Sequence, residues 1–292
     1  MRPILIHPGL HKTGTSWLQA VPFSDIDIFN NVMSHEEVDA YLVRPHEWQW
    51  DPQIARDRIA IALQKNERAS VNVLSSEILT GNPFFGSREA PLLARRLREV
   101  LPHAKILLTV REQGQWLRSL YQQYVKRGGR LALPDFLSGS SEPQYKTFDF
   151  ISLEFDRFVE EFSSAFGREN VLVLPQELLR TDMRVFFEHL SSFLGVEQIV
   201  PKDEWRRAVG ASPPEGSDWL LRLANSFRDK PLSRTSNTRF DWFGKQLERA
   251  AYRLPTRGTR YQVELPEELL KRSNIRLQDY CPTPLSTFGY LL

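Results

Sequence analysis

The stretch Gly9–Ser16 reads GLHKTGTS and directly follows the apolar run Ile4-Leu5-Ile6. A strand that leads through a glycine-bearing loop into a helix aligns several backbone N–H groups with the positive end of the helix dipole. This arrangement makes an anion-binding site. Glycines at positions 9 and 14 also allow the backbone to curl around a phosphate group. The sequence therefore predicts a phosphate-binding loop at the end of the first strand.

The position of the lysine in this loop separates two kinds of chemistry. In the P-loop of nucleoside triphosphatases the lysine follows the second glycine, where it reaches the β- and γ-phosphates. Here Lys12 precedes the second glycine, Gly14, and Thr15-Ser16 follow it. The loop thus lacks the lysine that an ATPase uses to bind the β- and γ-phosphates, and this also weakens the argument for a bound metal ion. We therefore expect no metal site. A P-loop kinase acting on a small molecule remains an alternative.

A second segment, residues 105–126, carries a further candidate anion site. It reads KILLTVREQGQWLRSLYQQYVK, which predicts a buried strand, Arg111 at its carboxyl end, and Ser119 two turns into the next helix. Open α/β sheets bind ligands at the carboxyl ends of their strands, and a guanidinium group can hold a phosphate through two hydrogen bonds. We therefore expect a second phosphate subsite at Arg111 and Ser119.

Both segments resemble the sulfotransferases, especially the bacterial carbohydrate-type members. Residues 9–16 are similar to that family's 5′-phosphosulfate loop, and residues 105–126 to its 3′-phosphate segment. The resemblance implies that the donor is 3′-phosphoadenosine 5′-phosphosulfate (PAPS). It implies that the nucleotide product is adenosine 3′,5′-bisphosphate (PAP) and that no metal is needed. It implies that Lys12 contacts the bridging oxygen and the sulfonate, while Arg111 and Ser119 bind the 3′-phosphate. The residues that it assigns to the 5′-phosphate are Thr13, Gly14, Thr15 and Ser16.

The resemblance extends over further stretches of the chain. Residues 158–179, 186–196 and 257–270 are similar to later segments of the family. A late basic loop closes over the nucleotide in that family, which makes Arg257 and Gly258 further candidates for nucleotide binding. The alternative for Arg257 is an ordinary solvent-facing loop charge.

Transfer to a hydroxyl group requires a base that accepts its proton. Glu77 lies just past the carboxyl end of the predicted strand VNVLSS, and His11 lies beside Lys12. Each is a candidate base. The alternative for Glu77 is a place in the first turn of a helix capped by Ser75 or Ser76. The alternative for His11 is a role in shaping the anion pocket.

Residues 20–50 do not match the family's pattern, since Pro22 cuts the first helix short. We expect the acceptor site to involve this segment, with His35 and His46 as further candidate bases. The resemblance implies that the acceptor is a hydroxyl group of a carbohydrate or another metabolite.

Strand and helix patterns alternate from residue 3 to residue 195. This alternation predicts an α/β fold, a P-loop-like parallel sheet with helices on both faces, followed by a mostly helical portion over 196–292. We expect a single domain over 1–292, with its core in 1–195. The predicted strands are 3–7, 71–76, 104–110 and 170–175. The predicted helices begin at 15 and cover 35–42, 51–66, 88–101, 114–127, 151–167 and 182–195, with a surface excursion at 130–148.

The overall composition limits the remaining classes of function. The chain has 38 basic and 36 acidic residues, a formal charge of +2, which gives no support to nucleic-acid binding. Cys281 is the only cysteine, so an intramolecular disulfide and a thiolate metal cluster are excluded. No stretch predicts a membrane span or a signal peptide, and we expect a cytoplasmic protein. A nucleotide-binding protein without catalytic activity is the remaining alternative.

Overall fold

The structure, a computed structural model, describes residues 2–139, 148–207, 216–230, 240–253 and 264–292. Its centre is a parallel sheet of five strands in the order β2-β3-β1-β4-β5. The strands are β1 Ile4–His7, β2 Phe29–Asn31, β3 Val71–Ser75, β4 Lys105–Val110 and β5 Val171–Pro175. The α/β fold and four of these strands were predicted, and they are confirmed.

The edge strand β2 lies inside the segment that sequence patterns left without regular structure. It has only three residues, and just one of them, Phe29, is apolar, so no periodicity could reveal it. Tertiary contacts hold it instead. Asn30 Nδ2 donates hydrogen bonds to Asn72 Oδ1 (2.9 Å) and to the carbonyl of Ala62 (3.1 Å).

Twelve α-helices accompany the sheet in the described part of the chain. They are α1 Thr15–Ala20, α2 His35–Val38, α3 Pro52–Leu63, α4 Ala90–Val100, α5 Gln113–Lys126, α6 Leu133–Leu137, α7 Phe155–Phe166, α8 Gln176–Thr181, α9 Met183–Leu194, α10 Asp218–Asn225, α11 Asp241–Arg253 and α12 Glu267–Gln278. A π-helical turn, Asp39–Val43, continues α2. Each predicted helix is present with ends shifted by a few residues, while α6 and α8 were not predicted.

Helices cover both faces of the sheet, as predicted. Side chains alternate along each strand, so Ile6 belongs to one buried apolar cluster and Leu5 to the other. The first cluster includes residues of α3, α4, α5, α7 and α12, and the second includes residues of α1, α8 and α9. The late helix α12 therefore belongs to the core layers, although the sequence placed the core in 1–195.

The segment at 130–148 differs from its prediction as a surface excursion. Its described part contains α6, and Phe136 is only 1% exposed. Phe136 packs against Tyr124 and Phe148 at ring-centroid distances of 4.8 and 5.1 Å. The polar, turn-rich composition of the segment gave no sign of this helix, in which the side chains of Leu133 and Phe136 are buried.

The mostly helical character of the C-terminal portion is confirmed by α10, α11 and α12. No helix in the described ranges has the length and apolar character needed to cross a membrane.

Candidate functional site

The loop between β1 and α1 has three residues in the left-handed backbone region. These are Gly9 (φ 42°), Lys12 (φ 66°) and Gly14 (φ 87°). A side chain on Gly9 would bring its Cβ within 2.5 Å of Thr15 Cγ2, so only glycine fits there. For a lysine the left-handed conformation is strained, and such strain concentrates at functional sites. The loop thus has the compact, curled shape that the sequence predicted.

A buried hydrogen-bonded chain supports this loop from below. His7 Nδ1 lies 2.8 Å from Ser75 Oγ, and His7 Nε2 lies 3.1 Å from Thr109 Oγ1. Thr13 Oγ1 donates to the carbonyl of Leu10 (2.5 Å) and lies 2.7 Å from Thr109 Oγ1. Polar groups of three adjacent strand ends therefore fix the loop. The Thr13 hydroxyl therefore faces the interior, and Thr13 is not among the residues that line the cleft beside the loop.

The loop opens into a cleft of about 1320 Å³ at the carboxyl ends of β1, β3 and β4. Nine basic and three acidic residues line this cleft, although the whole chain carries a charge of only +2. The cleft therefore has a strong local preference for anions. It brings together these residues that were predicted from the sequence: His11, Lys12, Gly14, Thr15, Ser16, Glu77, Arg111 and Ser119.

Lys12 lies in this cleft among other cations. Burial lowers the pKa of its ammonium group, and the charges of Lys126, Arg111 and Arg127 lower it further, while Glu77 opposes them. Because the positive charges outweigh the single carboxylate, an anion bound beside Lys12 would relieve their mutual repulsion.

Arg111 and Ser119 face the same cleft from β4 and α5. Glu112 fixes the turn between these elements, because its carboxylate accepts from the backbone N–H groups of Gly114 (2.7 Å) and Gln115 (2.8 Å). Burial lowers the pKa of Arg111, and Arg180 lowers it further against the attraction of Glu177. Ser119 is 8% exposed.

Glu77 begins a 3₁₀ turn, Glu77–Thr80, directly after β3. Burial opposes its ionisation, but hydrogen bonds from its own backbone N–H and from Gln19 Nε2 (3.2 Å), together with the electrostatic influence of His11 and His35, outweigh this effect. The pKa of Glu77 is therefore lowered, and its carboxylate is charged at neutral pH. Neither nearby serine caps the turn through its side chain: Ser76 Oγ lies 2.9 Å from His35 Nδ1, and Ser75 Oγ contacts His7.

The candidate histidines occupy different environments. His11 Nε2 donates to the carbonyl of Gly81 (3.0 Å), and burial lowers the His11 pKa to about 4, so the ring is neutral at neutral pH. His35 contacts Ser76 and does not line the cleft itself. His46 lies away from the cleft, where its Nδ1 accepts from the backbone N–H of Trp48 (3.2 Å).

One wall of the cleft was not predicted. The segment 200–207, which follows α9, packs against α1 and the turn after it. Trp17 Nε1 donates to the carbonyl of Arg207 (3.0 Å), and Lys202 pairs with Asp25 (2.6 Å). Arg180 and Arg184 line the same wall. No local pattern marks these residues, because only the packing of a distant segment brings them to the loop.

Two predicted nucleotide contacts, Arg257 and Gly258, lie outside the described residues. Within the described ranges, no group of three or more His, Cys, Asp or Glu side chains is arranged to hold a metal ion.

The fold is similar to that of solved sulfotransferases. The sulfotransferase from Alicyclobacillus acidocaldarius is 20% identical, with a TM-score of 0.52 over 87% of this chain and 98% of that one. The protein has a sulfotransferase fold. The sulfotransferase domain of the Synechococcus PCC 7002 olefin synthase is 12% identical, with a TM-score of 0.43 over 87% of this chain and 95% of that one. Mouse sulfotransferase SULT7A1, complexed with PAP, is 16% identical, with a TM-score of 0.42 over 96% of this chain and 89% of that one. No family model and no curated protein matches the chain.

Proposed function

We propose that this protein transfers a sulfuryl group from PAPS to a hydroxyl group of a carbohydrate or another metabolite. The observation that carries this proposal is the pair of candidate anion subsites in one basic cleft. One consists of the curled loop around Lys12, and the other consists of Arg111 and Ser119. PAPS has phosphate groups on both the 5′ and the 3′ side of its ribose, and the cleft offers cationic and hydroxyl groups for both.

Lys12 would stabilise the leaving group. When PAPS is bound, it supplies a sulfuryl group attached to a 5′-phosphate that departs with the bonding electrons. Negative charge therefore grows on the bridging oxygen during transfer. An ammonium group fixed beside that oxygen, with the N–H groups of the loop around it, stabilises this charge without reorganising. The positive charges of Lys126, Arg111 and Arg127 near Lys12 support this role. Together they exceed the negative charge of Glu77, so the site favours a leaving group that becomes more negative.

Arg111 and Ser119 would hold the 3′-phosphate. Among the described residues, the guanidinium group makes one long hydrogen bond, from Nη2 to Gln115 Oε1 at 3.5 Å. It therefore remains largely available for a phosphate, to which Arg can donate two parallel hydrogen bonds. The Glu112 cap of α5 positions Arg111, and the helix itself positions Ser119.

Glu77 would accept the proton of the acceptor hydroxyl. Its carboxylate is ionised, lines the cleft and acts electrostatically on Lys12. As the acceptor oxygen forms its bond to sulfur, the bond from sulfur to the 5′-phosphate oxygen breaks, PAP leaves with that electron pair, and the proton moves to Glu77. His11 is the less suitable base, because its Nε2 is engaged with the carbonyl of Gly81.

Nucleotide binding tests the proposal and separates it from its alternatives. Isothermal titration should give tighter binding for PAP without metal than for AMP, which lacks the 3′-phosphate, or for ATP with Mg²⁺. Tighter binding of ATP with Mg²⁺ would instead favour a small-molecule kinase. Binding of PAP with no release of labelled sulfate from PAPS, with or without acceptors, would favour a nucleotide-binding protein without catalytic activity.

A further inference from the structure

One face of α5 lines the cleft along its whole second half. Ser119, Gln122, Gln123 and Lys126 recur at spacings of three and four residues, which places them on the same side of the helix. With a rise of about 1.5 Å per residue, Lys126 lies roughly 10 Å along the axis from Ser119. The face thus runs from the proposed 3′-phosphate subsite to a basic end.

This basic end lies close to the proposed point of transfer. Lys126 is the first among the charges that lower the pKa of Lys12, ahead of Arg111. Arg127 acts on both Lys12 and His11, and its guanidinium lies 5.5 Å from the ring centroid of Phe84. Phe84 belongs to the 3₁₀ turn that follows shortly after Glu77. Lys126 and Arg127 are therefore on the Glu77 side of the cleft, where the acceptor hydroxyl must lie.

The two charges have no acidic partners in the described part of the chain. Both side chains are exposed, and none of the ion pairs among these residues includes Lys126 or Arg127. The neighbouring Lys230 differs, because it pairs with Glu248 (3.2 Å) while its Nζ also donates to the carbonyl of Lys126 (3.3 Å). Uncompensated cations facing a cleft favour an anionic ligand.

The donor has other partners for its phosphates. The 5′-phosphate is assigned to the loop around Lys12, and the 3′-phosphate to Arg111 and Ser119. We propose that Lys126 and Arg127 bind an anionic group of the acceptor, so that the substrate class is a hydroxyl compound with a carboxylate, phosphate or sulfate ester near the hydroxyl that receives the sulfuryl group. This inference rests on the proposed function, because it assumes that PAPS occupies the remaining cationic sites.

Binding of probes to the PAP-saturated protein tests this inference. The probes are glucuronate, glucose 6-phosphate and glucose 6-sulfate, with glucose as the neutral reference. Each anionic probe whose group fits the subsite should raise Tm in the wild type, and glucose should raise it less. In the double variant Lys126→Gln/Arg127→Gln, the Kd of those probes should increase at least about tenfold, which corresponds to about 1.4 kcal/mol. The three anions also distinguish carboxylate, phosphate and sulfate ester as the preferred group.

Arg118→Gln is the matched control. It removes one positive charge from an exposed position of α5 that does not line the cleft, and should leave probe binding unchanged. Raising NaCl from about 50 to about 500 mM should weaken the anionic probes in the wild type, because salt screens the charges at this exposed end.

The outcomes separate this inference from the proposed function. Failure of the wild type to bind PAP would overturn the proposed function itself. If PAP binds, three results would each overturn the anionic acceptor: no anionic probe binds, glucose binds as tightly as the anions, or the double variant binds the anions as well as the wild type. A loss of PAP affinity in the double variant as large as that in Arg111→Ala would assign these two residues to the nucleotide instead.

Discussion

Acidification should destabilise this protein through two buried histidines, His7 beneath the anion loop and His11 within it. Burial lowers the pKa of His7 from its ordinary value of 6.5 to about 3, against the attraction of Glu77. Burial likewise lowers the pKa of His11 to about 4. Both rings remain neutral in the folded state between about pH 4 and pH 6.5, while the unfolded chain binds a proton at each. Because the unfolded state binds more protons over this window, the free energy of unfolding must fall as the pH falls.

The magnitude follows from these pKa values. At pH 5 each unfolded histidine is about 1.5 pH units below its pKa, and one unit corresponds to about 1.36 kcal/mol. Each histidine therefore lowers the free energy of unfolding by about 2 kcal/mol between pH 7.5 and pH 5, and the two together lower it by about 4 kcal/mol. The window ends near pH 5 because the carboxylates, including Glu77 with its lowered pKa, contribute below it.

Urea unfolding at several pH values, extrapolated to zero denaturant, measures this loss. His7→Asn removes one titrating ring and should reduce the pH dependence by about half. If His7→Asn does not fold, His11→Asn serves as the second variant. The exposed His103 provides the control, His103→Asn. A wild-type loss below about 1 kcal/mol, or an unchanged slope in both buried-site variants, would refute the reasoning.

Three further predictions concern the cleft. Lys12→Ala should reduce turnover by about a hundred- to a thousandfold while PAP affinity falls much less. Lys12→Arg should not restore full activity, because a planar guanidinium group does not replace a compact ammonium group. Turnover of Lys12→Ala at the wild-type rate, measured with labelled PAPS, would contradict this role. Arg111→Ala should weaken PAP binding in calorimetry more than Ser119→Ala does, and equal affinity in Arg111→Ala and wild type would remove the 3′-phosphate assignment. Glu77→Gln should lower kcat by about a hundredfold or more with little change in PAP affinity, and an unchanged kcat would exclude Glu77 as the base.

The sequence alone determined the architecture of the sheet and its helical layers. Buried strands such as Lys105–Val110 contain short apolar runs, here residues 106–108, and long helices such as α7 carry their apolar residues at helical spacing. Local patterns of this kind depend only on neighbouring residues, so they predicted α/β alternation and the loop around Lys12. The edge strand β2 and the short helix α6 were missed, because a few apolar residues without a period give no local signal.

Only the tertiary structure decided which charges meet. Lys12 is far in the sequence from Arg111 and Lys126, and the crossover connections of a parallel sheet bring the elements that carry them together. The same packing turned the Thr13 hydroxyl inward to Leu10 and Thr109, and carried the segment 200–207 across α1 to form a wall of the cleft. Burial and electrostatic coupling are properties of such non-local neighbours. The charge of Glu77, the neutrality of His11 and the basic end of α5 beside Lys12 therefore became visible only in three dimensions.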